Sequence, residues 1–329
     1  MAGVKQRVDV VDIMKGVAIT LVVLGHTGQG MAHRGWWTGP GYGRTDSFIY
    51  SFHMPAFLFV AGLFVAQSIH RHGSARFVLD KLRVVLYPYL LWAIIGQITA
   101  PWSAGWRSGG TSTWPELWHQ MMHDDANWFL ITLFICLMIA LLTRRLPAWQ
   151  RLLGAVAVCM VAPHTGWTLI DRPVSEMSFL AAGMWTSVRL KRLNAVQPGA
   201  ALLGAAALFA LQAVEVWRAA PIPTAIEMIF FGLQGTLALA LFCRALVAAP
   251  TLGVPMLLAG QASLAVYVMS SYWQGLGRLL LSSMHCIALW PQLLLPTAFA
   301  VAAPALLWHL QRRVPAIGWL FQIPRRKTA

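Results

Sequence analysis

About ten stretches of this chain are each apolar enough and long enough to cross a bilayer, whose core of roughly 30 Å takes about 20 helical residues. No other feature narrows the fold as much. The stretches lie near 10–30, 48–68, 84–101, 127–143, 152–168, 176–190, 198–215, 225–243, 254–272 and 293–311. Of 329 residues, 58% are hydrophobic and only 11% charged, so lipid rather than water is the main solvent. The expected class is all-α: a polytopic integral membrane protein forming one membrane-embedded domain over 1–329. A cleaved signal peptide has a short apolar core followed by hydrophilic mature sequence. Here further apolar stretches follow the first, which therefore reads as a permanent span.

Charge placement tests this segmentation independently, because cytoplasmic loops collect Lys and Arg. With the N-terminus inside, the basic residues at 5–15, 71–83, 144–151, 189–192, 244 and 312–327 share the inner side. The other side holds Arg34, Arg44, Arg107, Arg172, Arg218 and Arg278. Every second loop is basic, as an even number of spans with both termini cytoplasmic requires. The net charge of +14 follows from that rule and from contact with anionic headgroups, so nucleic acid is set aside as a partner in favour of membrane lipids. Cys136, Cys159, Cys243 and Cys286 show no CxxC spacing and read as small buried apolar residues.

Ionisable groups inside a bilayer are costly and mark functional sites by default. The first stretch carries Lys15 and His26 in DVVDIMKGVAITLVVLGHTGQG. At 1.5 Å per residue, with entry near Val10, Lys15 lies about 8 Å in and His26 about 24 Å in. His53, on a second helix descending from Phe48, falls at nearly the depth of His26. Two imidazoles facing one outer cavity, or two unrelated histidines at a polar interface, both fit. Lower down, Asp12 and Lys15 are three apart and able to pair. Arg7 and Asp9 sit at the inner mouth, and Lys81 and Arg83 open the third stretch. This layer suits either a structural salt-bridge network or a basic pocket for a phosphate-rich ligand. A neutral histidine can take a proton from a hydroxyl near neutral pH. It would activate an acceptor alcohol against a thioester, or carry the acyl group itself. An oxyanion donor is missing; Ser263, Tyr267, Asn127 and Trp128 are candidates only as polar groups near spans.

Taken together, these residues resemble the membrane acyltransferase-3 family, in its sugar and polysaccharide O-acetyltransferase (fucose 4-O-acetylase-like) branch. The family pattern of a basic residue, ten residues and a histidine is matched by Lys15 to His26 in KGVAITLVVLGH. SFHMPAFLFVAGLF at 51–64, KLRVVLYPYLLW at 81–92, Trp128-Phe129-Leu130 and SLAVYVMS at 263–270 follow in family order. The resemblance implies acetyl-CoA or another acyl-CoA as cytoplasmic donor, His26 as the catalytic residue, and Lys15, Arg83 and Lys81 near the donor. It also implies a sugar or polysaccharide acceptor on the outer side. On the reading of the residues themselves, Asp12, His53, Trp128 and Tyr267 support the site, and no metal is expected. Lysine replaces the commoner arginine at position 15, keeping the charge and losing the bidentate fork. Ser270 stands where many relatives carry a late histidine.

Three other constellations remain. His119 and His123, four apart before Asp124 and Asp125, suit a zinc pair, an acceptor contact or a plain interfacial helix rich in Trp. The loop 31–47 offers Trp36, Trp37, Tyr42 and Arg44 for sugar stacking, among glycines that also simply close a hairpin. His164, His285 and His309 read as interface residues. The expected protein is thus a multi-pass bacterial inner-membrane O-acyltransferase, with a homo-oligomer allowed. The rival is a proton-coupled transporter or flippase of a glycan or lipid precursor.

Overall fold

The structure is a computed structural model that describes residues 2–103, 127–189, 191–218, 224–286 and 288–323. His119, His123, Asp124, Asp125, Arg107 and the basic residues beyond 323 lie outside the described residues, as does the side chain of Arg7. Every regular element among the described residues is helical. In chain order these are α1 Ala2–Ala32, α2 Pro40–Tyr50, α3 His53–Lys81, a π-helical turn Leu82–Leu86 and α4 Tyr87–Ser103. There follow α5 Trp128–Leu142, α6 Ala148–Val161, α7 Thr168–Thr186, the single turn α8 Lys191–Asn194 and α9 Pro198–Arg218. The chain closes with α10 Ala225–Leu246, α11 Pro250–Gln261, α12 Ser263–Ser283, α13 Leu289–Leu310 and a 3-10 segment Pro315–Leu320.

Five helices are long and apolar enough to cross a membrane, or six when α11 and α12, joined across a 90° bend, count as one. Sequence periodicity suggested about ten, and the difference has local causes. The stretch near 254–272 is not straight, because it turns at Ala262 between α11 and α12. The stretches at 127–143 and 152–168 give apolar helices of 15 and 14 residues, short of a full crossing. Proline at the first turn is compatible with helix entry because its missing N–H has no intrahelical acceptor to lose, and Pro40 and Pro250 use that allowance. A capping box between Thr224 and Glu227 starts α10.

Helix α1 is the hub, packing against α2, α3 and α10 through α13. Its tightest contact is with α11. A Cβ on Gly16 would overlap the carbonyl of Met256, and one on Gly260 would overlap the carbonyl of Asp12. Glycine at both positions lets the two backbones touch, the usual route to close helix association where lipid supplies no hydrophobic drive. Two apolar clusters surround this axis. One groups Val10, Ile13 and Met14 with Val60, Leu239 and Leu246. The other groups Ile19, Val22 and Val23 with Leu58, Ala265 and Val266.

Candidate active site

His26 is the exposed residue of an otherwise closed helix face. Val22, Val23, Gly25, Thr27, Gly28, Gly30 and Met31 around it are all buried. An imidazole open to solvent in such company lines an opening in the bundle, and its contacts say which way it faces. Helix α2 stands in front: the Tyr50 hydroxyl lies 3.3 Å from His26 Nδ1, and the two rings meet edge to face at 6.2 Å. From the next turn of α1, Gln29 Oε1 lies 3.2 Å from the same Nδ1. The Gln29 amide nitrogen donates to Asp46 Oδ1 at 3.4 Å, and Tyr42 donates to that oxygen at 3.5 Å.

This order of donors favours one tautomer. With its nitrogen spent on Asp46, Gln29 presents only an oxygen to His26, so Nδ1 carries the hydrogen and donates. Nε2 then keeps its lone pair and has no hydrogen-bond partner among the described residues, which is the state a general base needs. Trp37 folds back over Gly28 and meets Tyr42 edge to face at 5.3 Å, so the loop after α1 closes over this end of the helix. Arg44 leaves the group, its guanidinium stacked 3.8 Å from the Trp217 ring on α9.

Behind His26 a buried polar network ties α1 to α12 and α13. Thr27 Oγ1 donates to Val23 O at 2.9 Å and accepts from Gln274 Nε2 at 2.9 Å. Gln274 also donates to Val23 O at 2.7 Å, and Thr297 Oγ1 of α13 lies 3.0 Å from Thr27 Oγ1. One turn further along α12, Arg278 Nη2 donates to Thr27 O at 2.9 Å and to His26 O at 3.4 Å. Helix α12 thus grips the backbone of the turn that carries His26, and α13 adds a contact to the Thr27 side chain.

His53 departs in part from expectation. It does reach the level of His26, since its ring packs against Tyr50 at 4.7 Å, edge to face. It does not share the opening: it is fully buried, with Nδ1 turned onto Ile49 O and Nε2 unpartnered. Steric enclosure by α2 and α3 makes it a second layer behind Tyr50.

At the other end of α1, Lys15 Nζ and Asp12 Oδ1 form the anticipated pair at 2.6 Å. Lys15 and His26 share one helix face, about 16 Å apart along the axis. Between them on that face stand Ile19 and Val22, 1% and 3% exposed, so an apolar layer separates the two polar ends. A continuous passage from Lys15 to His26 is therefore closed here. Lys81 and Arg83 flank the start of the π-turn Leu82–Leu86, a distortion often found at functional positions. Burial pushes the Lys81 ammonium below the usual lysine range, while the charge of Asp80 opposes that. Its Nζ lies 5.1 Å from the Phe77 ring.

Trp128 and Tyr267 meet through Phe129, at ring distances of 6.0 and 5.8 Å, and Arg172 covers Trp128 at 4.5 Å. Ser263 begins α12, about 16 Å along that helix from Gln274 and so far from His26. Ser270 is buried, its hydroxyl on the carbonyl of Tyr267 at 3.5 Å. Sequence reading passed over Gln29, Asp46, Tyr50, Gln274 and Arg278. Gln274 and Arg278 carried a usable signal, a polar pair four apart in an apolar stretch. Asp46 and Tyr50 did not, because α2 only acquires meaning once it lies beside α1.

A family model described as "Acyltransferase domain" matches residues 8–309. Among curated proteins, Nodulation protein NolL of Sinorhizobium fredii is 35% identical over 97 residues, covering 29% of this chain and 25% of the relative. NolL of Mesorhizobium japonicum is 33% identical over 97 residues, with the same coverage of 29% and 25%. The similarity thus spans a quarter of each relative's length. No solved structure matches the chain.

Proposed function

The chain belongs to this acyltransferase family; from that premise we propose that it is a membrane acyltransferase that transfers an acyl group from cytoplasmic acyl-CoA to a sugar hydroxyl on the outer side, with His26 as general base. The observation that carries the proposal is the committed state of the imidazole. Nδ1–H is held by Gln29 Oε1 and faced by Tyr50, while Nε2 is free beside an opening. As Nε2 takes the proton of the acceptor hydroxyl, the imidazolium that forms is oriented by Gln29, with the Asp46 carboxylate beyond the amide.

The donor would enter at the Lys15 end, its phosphates attracted by Lys15, Lys81 and Arg83, and its thioester would reach toward His26 once Ile19 and Val22 part. Acetyl is the group favoured by the resemblance of SFHMPAFLFVAGLF to sugar O-acetylases. Trp37 and Tyr42 offer aromatic surface for the acceptor, an envelope polysaccharide or its lipid-linked precursor. His53 supports Tyr50 from behind, and Trp128 and Tyr267 line the bundle further off. The alternating basic loops support an even number of crossings with both termini inside a bacterial inner membrane. No metal is required, and a homo-oligomer is compatible with the scheme.

The test compares envelope glycans by NMR and mass spectrometry in cells with the intact gene, without it, and with His26→Ala at matched protein level. Loss of one O-acyl signal in both altered strains is the expected result, and the missing ester identifies the acceptor. If His26→Ala keeps the signal that deletion removes, the protein serves supply or export, and the transporter reading takes over.

A further inference from the structure

We propose that Arg278 is a second catalytic residue, whose guanidinium stabilises the oxyanion formed when the acceptor hydroxyl adds to the thioester carbonyl beside His26. This rests on the acyl-transfer reading above and supplies the oxyanion donor that reading lacks.

Arg278 is 5% exposed, yet it has no carboxylate partner: the salt bridges among the described residues are Lys15–Asp12 and His164–Asp171. The carboxylate of this end, Asp46, is turned to Gln29 and Tyr42. Of the five N–H donors of the guanidinium, those on Nη2 are the ones used among the described residues, on the carbonyls of Thr27 and His26. Nε is buried and unpartnered. A buried guanidinium without an anion is expensive. The C-terminal dipole of α1 accounts for the attraction of Nη2 to its carbonyls. It does not account for Nε or Nη1.

Position supplies the reason. The guanidinium occupies the place that a Cβ on Gly30 would take. Gly30 is four residues after His26, hence on the same face and about 6 Å away at the Cβ level. Arg278 therefore packs against the turn that follows His26, inserted where glycine leaves room, with Nη2 on the His26 carbonyl. Arg34 donates to Gly30 O at 3.0 Å and adds a second positive charge to that turn. A permanent anion would need an open site. A charge that exists only in the transition state is best met by a fixed, water-excluded donor with no resident counterion.

The step balances as follows. The acceptor oxygen bonds to the thioester carbon as His26 Nε2 takes its proton, and the carbonyl π pair moves onto oxygen beside Arg278. Collapse re-forms the C=O bond and breaks C–S. The leaving thiolate takes the proton back from His26, giving ester and CoA thiol.

The test uses the full chain in lipid nanodiscs, with acetyl-CoA as probe and water as acceptor, reading thiol release. Arg278→Gln is expected to lower kcat about 10²–10³-fold, the usual loss for one oxyanion donor, with KM for acetyl-CoA within about twofold. Gly30→Ala, which keeps the arginine and displaces it, should fall in the same way. Free guanidinium should restore part of the activity of Arg278→Ala in a concentration-dependent manner, which a purely structural role does not predict. The proposal is overturned if Arg278→Gln retains kcat, if it raises KM instead, or if a folded Arg278→Ala ignores guanidinium. Absence of His26-dependent release in the wild type overturns the acyl-CoA reading itself, a result distinct from an active wild type indifferent to Arg278.

Discussion

Replacing Thr27 with Val changes almost no volume and removes one hydroxyl from the network behind His26. Thr27 Oγ1 accepts from Gln274 Nε2 at 2.9 Å, and the other Nε2 hydrogen goes to Val23 O at 2.7 Å. In Thr27→Val one amide hydrogen of Gln274, a residue 5% exposed, loses its acceptor. Thr297 does not suffer, because its hydroxyl also bonds Leu293 O at 2.6 Å. A buried unsatisfied donor costs about 1–3 kcal/mol, whereas interhelical hydrogen bonds in membrane proteins average about 0.6 and reach about 1.7 kcal/mol. The expected loss is therefore about 1.5 kcal/mol. Gln274→Leu leaves Thr27 satisfied by Val23 O and Thr297 and should cost less, about 1 kcal/mol or below. The double variant has no orphaned donor and should resemble Gln274→Leu alone. The cycle thus predicts non-additivity of about 1.5 kcal/mol, outside the scatter of about 0.5 kcal/mol for independent sites. Unfolding free energies in mixed micelles, titrated with SDS, measure it. Strict additivity would refute the claim that these groups form one network.

Four further outcomes follow from the same geometry. Gly260→Ala places a methyl on the Asp12 carbonyl and should destabilise by about 1–3 kcal/mol through overpacking; it should also raise the KM for acyl-CoA by disturbing the Asp12–Lys15 turn, and wild-type values in both assays would count against the contact. Gln29→Leu removes the acceptor of His26 Nδ1–H, leaving Tyr50, and should lower kcat about 3–10-fold, one hydrogen bond's worth; an unchanged kcat excludes the tautomer argument. With Cys159 and Cys286 replaced by serine, His26→Cys should react with a small maleimide while Ile19→Cys and Val22→Cys stay unlabelled, because only position 26 is open; equal labelling would mean that the apolar layer is not closed. Asp171 accepts from the Thr165 and Gly166 amides, which holds its carboxyl below the ordinary value of about 3.9. Its contribution is complete above that pH and is lost as pH falls through the lower folded value, so exchange of those two amides should accelerate only below about pH 4.

How much of this was legible beforehand depends on the range of the interactions involved. The Asp12–Lys15 pair and the shared face of Lys15 and His26 follow from spacing along one helix, and the helical class follows from apolar stretches of helical length. Each is decided by 3.6 residues per turn and by the cost of charge in lipid, both written locally in the chain. Only the tertiary structure decided what those residues meet. It set Tyr50, Gln29 and Asp46 around His26, withdrew His53 from the opening, and closed the passage at Ile19 and Val22. It also bent the stretch near 254–272 by 90° at Ala262. Arg278 shows the limit most plainly. It lies 252 residues from the His26 carbonyl it touches, and it fits only because position 30 has no side chain. Helical periodicity says which residues share a face; which faces touch is settled by packing between segments far apart in the chain, and for that a single sequence carries no local signal.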